Sequence, residues 1–275
     1  MVAERQHLGR LYDQLSRYEW WRRRLAAARP GTRLELRKRL REPADLDAWL
    51  HQRTAPRNGA SVLDLGCGFG GTLFHFARCG QVCTGLTLSG YQANKARLLA
   101  ERFGLAARCA IRQQSFDEAI EGSFDVVLAV ETLFHAPDLQ RTLDNVARST
   151  APGGTVALVE DMAVDRDATA HPAARRLLDE WATQNMHTIA DYDAALAASG
   201  FTAHEAIDLT DQVLLPATRD FAARRRRLSR LRAVLPFGRS VVDAFVGGLA
   251  MEELYAAGQL RYRAIFARRD SSRTP

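Results

Sequence analysis

The stretch VLDLGCGFGG, residues 62–71, decides how the rest of this chain is read. Val62, Leu63 and Leu65 make a short apolar run around Asp64, and Gly66, Gly68 and Gly70 then alternate with other residues before a helix-like segment, GTLFHFARC. Glycine belongs where a backbone turns sharply or must lie close to a ligand. The spacing D-x-G-x-G-x-G keeps an acid inside the strand and lacks the G-x-G-x-x-G of the dinucleotide fold. A tight turn that binds nothing is the plain alternative. The retained acid and the three spaced glycines favour a ligand loop.

Outward from the loop the texture repeats. QVCTGL, ARCAIRQ, SFDVVLAV, GGTVALVE, FTAHEAIDL and QLRYRAIFARR are short apolar or β-rich runs, and SGYQANKARLLAERF and DLQRTLDNVARST are helix-like. This alternation predicts an α/β fold, a doubly wound parallel sheet with helices on both faces. Strands as apolar as VVLAV suit a sheet covered on both sides. Residues 1–56 read as an N-terminal helical lid, with Leu8, Leu11, Leu15, Tyr18 and Trp21 in an apolar stripe. Residues 57–275 read as the core, with helical insertions at about 163–190 and 211–257. These added helices make either a lid over a pocket or the face of a homodimer.

A chain of 275 residues with 47% hydrophobic and 25% charged residues can build an ordinary core. No run of 18 apolar residues exists, and the polar start MVAERQHLGRLYDQ has no signal-peptide stretch, so a cytoplasmic protein without a membrane span is expected. Cys67, Cys79, Cys83 and Cys109 form no C-x-x-C pair and no zinc-type cluster, so reduced thiols and no metal site are expected. The net charge of +6 comes from arginine, clustered at residues 20–41 and 219–232. These clusters are solvated helix faces or a basic mouth for an anionic substrate. Nucleic acid is not expected, because no recognised binding module is present.

The second informative stretch is GLTLSGYQ, residues 85–92. After the second strand of many nucleotide-type sites a carboxylate holds the ribose. Here Thr87 stands in its place, and Ser89 and Gln92 have the S-x-x-Q spacing of a capping box.

The glycine loop, FDVVLAVETLFH and PGGTVALVE together resemble the class I S-adenosylmethionine-dependent methyltransferases over about residues 60–162. Gly85, Leu86, Thr87, Ser89 and Gln92 match a branch that reads G-[IL]-[ST]-x-S-x-x-Q, and Glu131, His135 and Asp138 match its E-[ST]-L-x-H-x-x-D. That branch holds antibiotic sugar O-methyltransferases, tocopherol, sarcosine and prenyl-diphosphate methyltransferases, and cyclopropane fatty acid synthases. The resemblance implies a Rossmann-like sheet of seven strands and S-adenosylmethionine as cofactor. It places Asp64, Gly66, Cys67, Gly68 and Gly70 in the cofactor loop, Thr87, Leu88 and Gln92 at the ribose, Gln114, Ser115 and Phe116 at the adenine, and Val130 and Glu131 beyond the fourth strand. It makes His135 the general base and Glu160 its supporting acid, with Glu131 a further catalytic candidate. The implied acceptor is a small secondary metabolite, hydrophobic or anionic, such as an isoprenoid, methylated on oxygen or carbon. A non-methylating reaction such as cyclisation, with the cofactor bound, is the alternative.

Overall fold

The computed structural model describes residues 2–181, 185–216, 220–234 and 239–272. Its seven-stranded sheet comprises β1 (Ser61–Leu65), β2 (Val82–Thr87), β3 (Cys109–Gln113), β4 (Phe124–Val130), β5 (Thr150–Ala163), β6 (Phe201–Asp208) and β7 (Leu260–Arg269). The order is β3-β2-β1-β4-β5-β7-β6. The first five strands are mutually parallel, and β7 runs antiparallel to both its neighbours. The chain leaves β1 towards one edge and β4 towards the other, so the crevice for a ligand opens beyond the carboxyl ends of β1 and β4.

Alternation along the strands sets the two faces. Leu63, Leu65, Val127, Ala129, Val156 and Leu158 pack with α5 (Leu139–Ser149) and α8 (Ile189–Ala198). Val62, Val126, Leu128, Ala157 and Val159 pack with α3 (Gly71–Arg78) and α4 (Gly90–Arg102). Burial on both faces explains the unbroken apolar runs in these strands, such as VVLAV and VALV. Gly200, at φ +84°, ends α8 as the sequence predicts.

The added helices are α1 (Val2–Arg22), α2 (Leu46–Thr54), α6 (Arg166–Ala170), α7 (Pro172–Glu180), α9 (Phe221–Val234) and α10 (Arg239–Ala256). Helix α10 packs on α1, α7 and α9, which makes one cover over the ligand end of the sheet. Among the described residues no helix is long and apolar enough to cross a membrane.

The helical reading of residues 1–56 needs a correction. After α1 and one 3-10 turn, Leu25–Ala27, the chain runs as an irregular strap until α2 begins. Arg24, at φ +53°, turns the chain out of α1, and Pro30 and Gly31, the latter at φ +89°, prevent a helix from restarting. In RLELRKRL, Leu34, Leu36 and Leu40 share one parity with Lys38 between the last two, a strand-like period. Leu34 and Leu40 are buried, and Leu40 bridges to Val213 in the second insertion.

Candidate active site

The glycine loop floors a cavity of about 240 Å³ at the carboxyl ends of β1, β2 and β4. Asp64, Gly66, Cys67 and Gly68 line it. Each glycine has a separate reason. Gly66, at φ +72°, leaves no room for a side chain, because a Cβ would overlap Thr132. The Thr132 hydroxyl is held there by donating to the Leu65 carbonyl, 2.9 Å. Gly70, at φ +86°, starts α3, and a Cβ would strike the Phe74 ring at 2.6 Å. Gly70 is therefore a structural residue that does not line the cavity. Gly68, at φ +55°, faces open space and leaves its backbone accessible from the cavity. Burial pushes the Asp64 carboxyl up to about 8, Asp47 adds to the rise and Arg37 opposes it.

At the end of β2 the hydrogen bonds differ from a simple capping box. The Ser89 hydroxyl accepts from the Gln92 N–H, 3.0 Å, but the Gln92 side chain does not return to the Ser89 backbone. Its Oε1 accepts from the Thr87 hydroxyl, 2.7 Å, and its Nε2 donates to Ser16 on α1, 2.9 Å. Thr87 also accepts from the Ser89 N–H, 3.2 Å. Asp13 of α1 takes hydrogen bonds from the Ser89 hydroxyl, 2.5 Å, and the Tyr91 N–H, 3.1 Å. Gly9 lets α1 come close to the Leu88 carbonyl, which a Cβ would meet at 3.3 Å. Thr87, Leu88 and Gln92 all line the cavity beneath this clamp.

Gln114 and Phe116 line the side nearest β3, and Val130 and Glu131 the side nearest β4. The Gln114 amide nitrogen donates to the Ala119 carbonyl, 2.8 Å, which fixes the amide. Ser115 is buried and does not line the cavity; its hydroxyl accepts from the Asp117 N–H, 3.1 Å, and shapes the turn instead.

His135 also lines the cavity, but its surroundings differ from the expected acid–base dyad. Its Nε2 hydrogen-bonds the Tyr12 hydroxyl of α1 at 2.7 Å. Trp181 stacks on the ring at 6.0 Å between centroids, and its indole N–H donates to the Ala244 carbonyl of α10, 3.1 Å. His135 Nδ1 is buried and has no hydrogen-bond partner among the described residues. Burial lowers the imidazole to about 4 and raises the Tyr12 phenol, so both are neutral near pH 7.

Glu160 is fully buried and does not reach the histidine. Its Oε1 accepts from the Thr132 and Leu133 N–H groups, both at 2.9 Å. These are the unpaired donors of the turn that carries His135, so Glu160 holds the loop rather than the ring. Burial raises its carboxyl to about 8 against those two N–H groups. Glu131 sits at φ +53°, a conformation costly for a side-chain-bearing residue. Its Oε1 accepts from the Lys38 N–H, 2.8 Å, and the Tyr262 hydroxyl, 2.9 Å. The Lys38 ammonium lies 3.3 Å from Glu131 Oε2 and 2.5 Å from Asp161 Oδ2, and Tyr255 donates to the other Asp161 oxygen. The sequence offered no sign of this five-residue network, since its members come from the strap, the residue after β4, β5, α10 and β7.

The arginine clusters do not form a basic mouth. Of their cations, Arg37 alone among the described residues lines the cavity, and Asp47 and Thr72 hold its guanidinium at 2.8 and 2.9 Å. Others pair with acids on nearby segments, as in Arg23–Glu19, Arg224–Glu252 and Arg232–Asp243. The lining is otherwise mainly leucine and aromatic, from Leu8, Leu11 and Leu15 on α1 to Phe134 and Trp181.

Residues 63–158 match the family described as "Methyltransferase domain". The methyltransferase phqN of Penicillium fellutanum is 29% identical over 160 residues, which are 56% of this chain and 49% of that protein. The chain spans at most about half the length of the curated relatives it matches. Geranyl diphosphate C-methyltransferase from Streptomyces coelicolor A3(2), solved with Mg2+, geranyl diphosphate and S-adenosyl-L-homocysteine, superposes with a TM-score of 0.72 at 15% identity, covering 97% of each chain. The [4+2]-cyclase SpnF gives 0.72 at 18% identity with the same coverage. At these identities the two structures establish the shared fold.

Proposed function

We propose that this chain, whose core is a class I S-adenosylmethionine-dependent methyltransferase domain, methylates a hydroxyl oxygen of a small, largely apolar molecule. One observation carries the reading: a neutral histidine lies in a cavity walled by leucine and aromatic side chains, with Tyr12 hydrogen-bonded to its Nε2.

The residues present fit the cofactor. Gly68 leaves open space against the loop, and the Gln114 carbonyl oxygen remains to accept from an adenine amino group. Phe116 offers a ring wall, and Thr87 and Gln92 offer the ribose edge, held rigid by their mutual bond. When bound, S-adenosylmethionine supplies a methyl group already activated on a sulfonium. The protein's share is alignment, water exclusion and removal of one proton. His135 would accept the acceptor's hydroxyl proton at Nδ1, the nitrogen left free when Nε2–H donates to the Tyr12 oxygen, as the O–CH3 bond forms and the methyl–sulfur bond breaks. Tyr12 fixes the imidazole in the plane that this requires, and Trp181 covers its face. Glu160 keeps the 132–135 turn in register beneath it.

Turnover with a panel of apolar alcohols and phenols, beside their diphosphates and non-hydroxylated analogues, tests this. The expected result is S-adenosylhomocysteine formed together with an O-methylated alcohol or phenol. Methylation of carbon in the non-hydroxylated analogues would overturn the oxygen assignment. Consumption of a polyene without S-adenosylhomocysteine would point to cyclisation. The ribose edge gives a separate prediction. Thr87→Val removes one donor and one acceptor, and should weaken S-adenosylhomocysteine binding by about 10-fold, measured by calorimetry, with the melting temperature nearly unchanged.

A further inference from the structure

We propose that Glu35, on the strap, binds the α-ammonium group at the amino-acid end of S-adenosylmethionine. The inference rests on the cofactor reading above and assigns a role to a residue outside every motif of the core.

The carboxylate of Glu35 lies directly on the first residue of α3, so close that a Cβ at Gly71 would overlap Oε1. Its side chain is only 14% exposed and lines the cavity. Among the described residues, no donor is hydrogen-bonded to Oε1. The cation beside Oε2 is Arg33, at 3.5 Å and itself 45% exposed, a loose and solvent-screened pair. Arg37 acts on this carboxylate through space but gives its guanidinium to Asp47 and Thr72, so among the described residues Oε1 is left to meet a cationic ligand in the cavity.

The rest of the cavity decides which cation. The β2 and β3 side offers the neutral polar groups of Thr87, Gln92 and Gln114, suited to a ribose and a base. The methyl group must face His135. What remains is the stretch at Glu35, Arg37, Gly71 and Thr72, where opposite charges stand side by side. Arg37 is two residues along the same extended strap, and the cap residue of α3, Gly70, has no side chain to satisfy the first helical N–H groups. Those N–H groups and the guanidinium suit a carboxylate, and Glu35 suits an ammonium, so a zwitterionic amino-acid end matches both. Glu35 and Arg37 also wall the cavity off from a polar cleft of about 280 Å³ behind the strap, so the charged pair forms a boundary.

Calorimetry separates this role from a structural one. The ligands are S-adenosylhomocysteine, its deaminated analogue and 5′-methylthioadenosine, which lacks the amino-acid end. Glu35→Gln should weaken S-adenosylhomocysteine by roughly 10- to 100-fold and leave 5′-methylthioadenosine unchanged. The deaminated analogue should bind wild type as weakly as S-adenosylhomocysteine binds the variant, with no further loss when both changes are combined. Equal losses for S-adenosylhomocysteine and 5′-methylthioadenosine, or no loss for either, would overturn the proposal, since a carboxylate that only steadies α3 cannot tell these ligands apart. Glu35→Asp, which keeps the charge, serves if Glu35→Gln melts early; it should retain more S-adenosylhomocysteine affinity than Glu35→Ala. Wild-type protein that binds neither ligand would instead remove the cofactor reading itself.

Discussion

Replacing His135 with alanine is expected to lower kcat by about 10²- to 10⁴-fold while leaving S-adenosylhomocysteine affinity nearly intact. The separation follows from position: the ring lines the cavity between Tyr12 and Trp181 and is none of the groups assigned to the cofactor. Loss of turnover with retained binding supports the base, and a variant with near wild-type kcat would dismiss it. The pH profile gives an independent check. A general base works when deprotonated, and burial holds this one at about 4. Its activity should therefore persist below pH 6.5 and fall only as pH drops through about 4. The stability it contributes has the same sign: it is present above the unfolded value near 6.5 and lost as pH falls through the folded value. An acid limb centred near 6.5 would show a wetter histidine than the one described here.

The second large effect concerns stability. Lys38→Met should destabilise the protein by about 3–5 kcal/mol, because it strands the buried carboxylate of Asp161 and the partly buried one of Glu131. In the wild type, burial disfavours the Lys38 ammonium, but Asp161 and Glu131 more than offset this and raise it. Take the ammonium away and, among the described residues, Asp161 keeps Tyr255 while Glu131 keeps Tyr262 and one N–H. A fall in melting temperature of roughly 10 °C is expected at pH 7.5. The gap should narrow at pH 5, because carboxylates without a counter-ion take up protons in the folded state and relieve the penalty. A melting temperature unchanged at both pH values would mean that the network contributes little.

The sheet was legible because its strands are buried on both faces and its helices on one, and those patterns are local. The glycine loop, Thr87 and His135 were legible for the same reason: each is a short spacing in one segment. The network around Lys38 was not, because it is assembled from five segments that meet only in three dimensions. Glu160 shows the limit well. Its place at the end of β5 followed from the sequence, but its partners did not, and they are backbone groups of the turn rather than the histidine. Glu35 and Lys38 were hidden by a misread period. The alternation in RLELRKRL marked an extended strap, whereas the helical reading of its flanks carried across it.

Helix α1 brings Asp13 to Ser89, Ser16 to Gln92 and Tyr12 to His135, so it touches both the proposed ribose seat and the proposed base. One rigid rod thus reports on one ligand's seat and completes the apparatus for the other. With α1 undocked, His135 has no phenol and the leucine wall is missing, so an activated methyl exposed to water would find no competent base beside it. The proposed base and the proposed ribose seat therefore depend on the docking of the same helix.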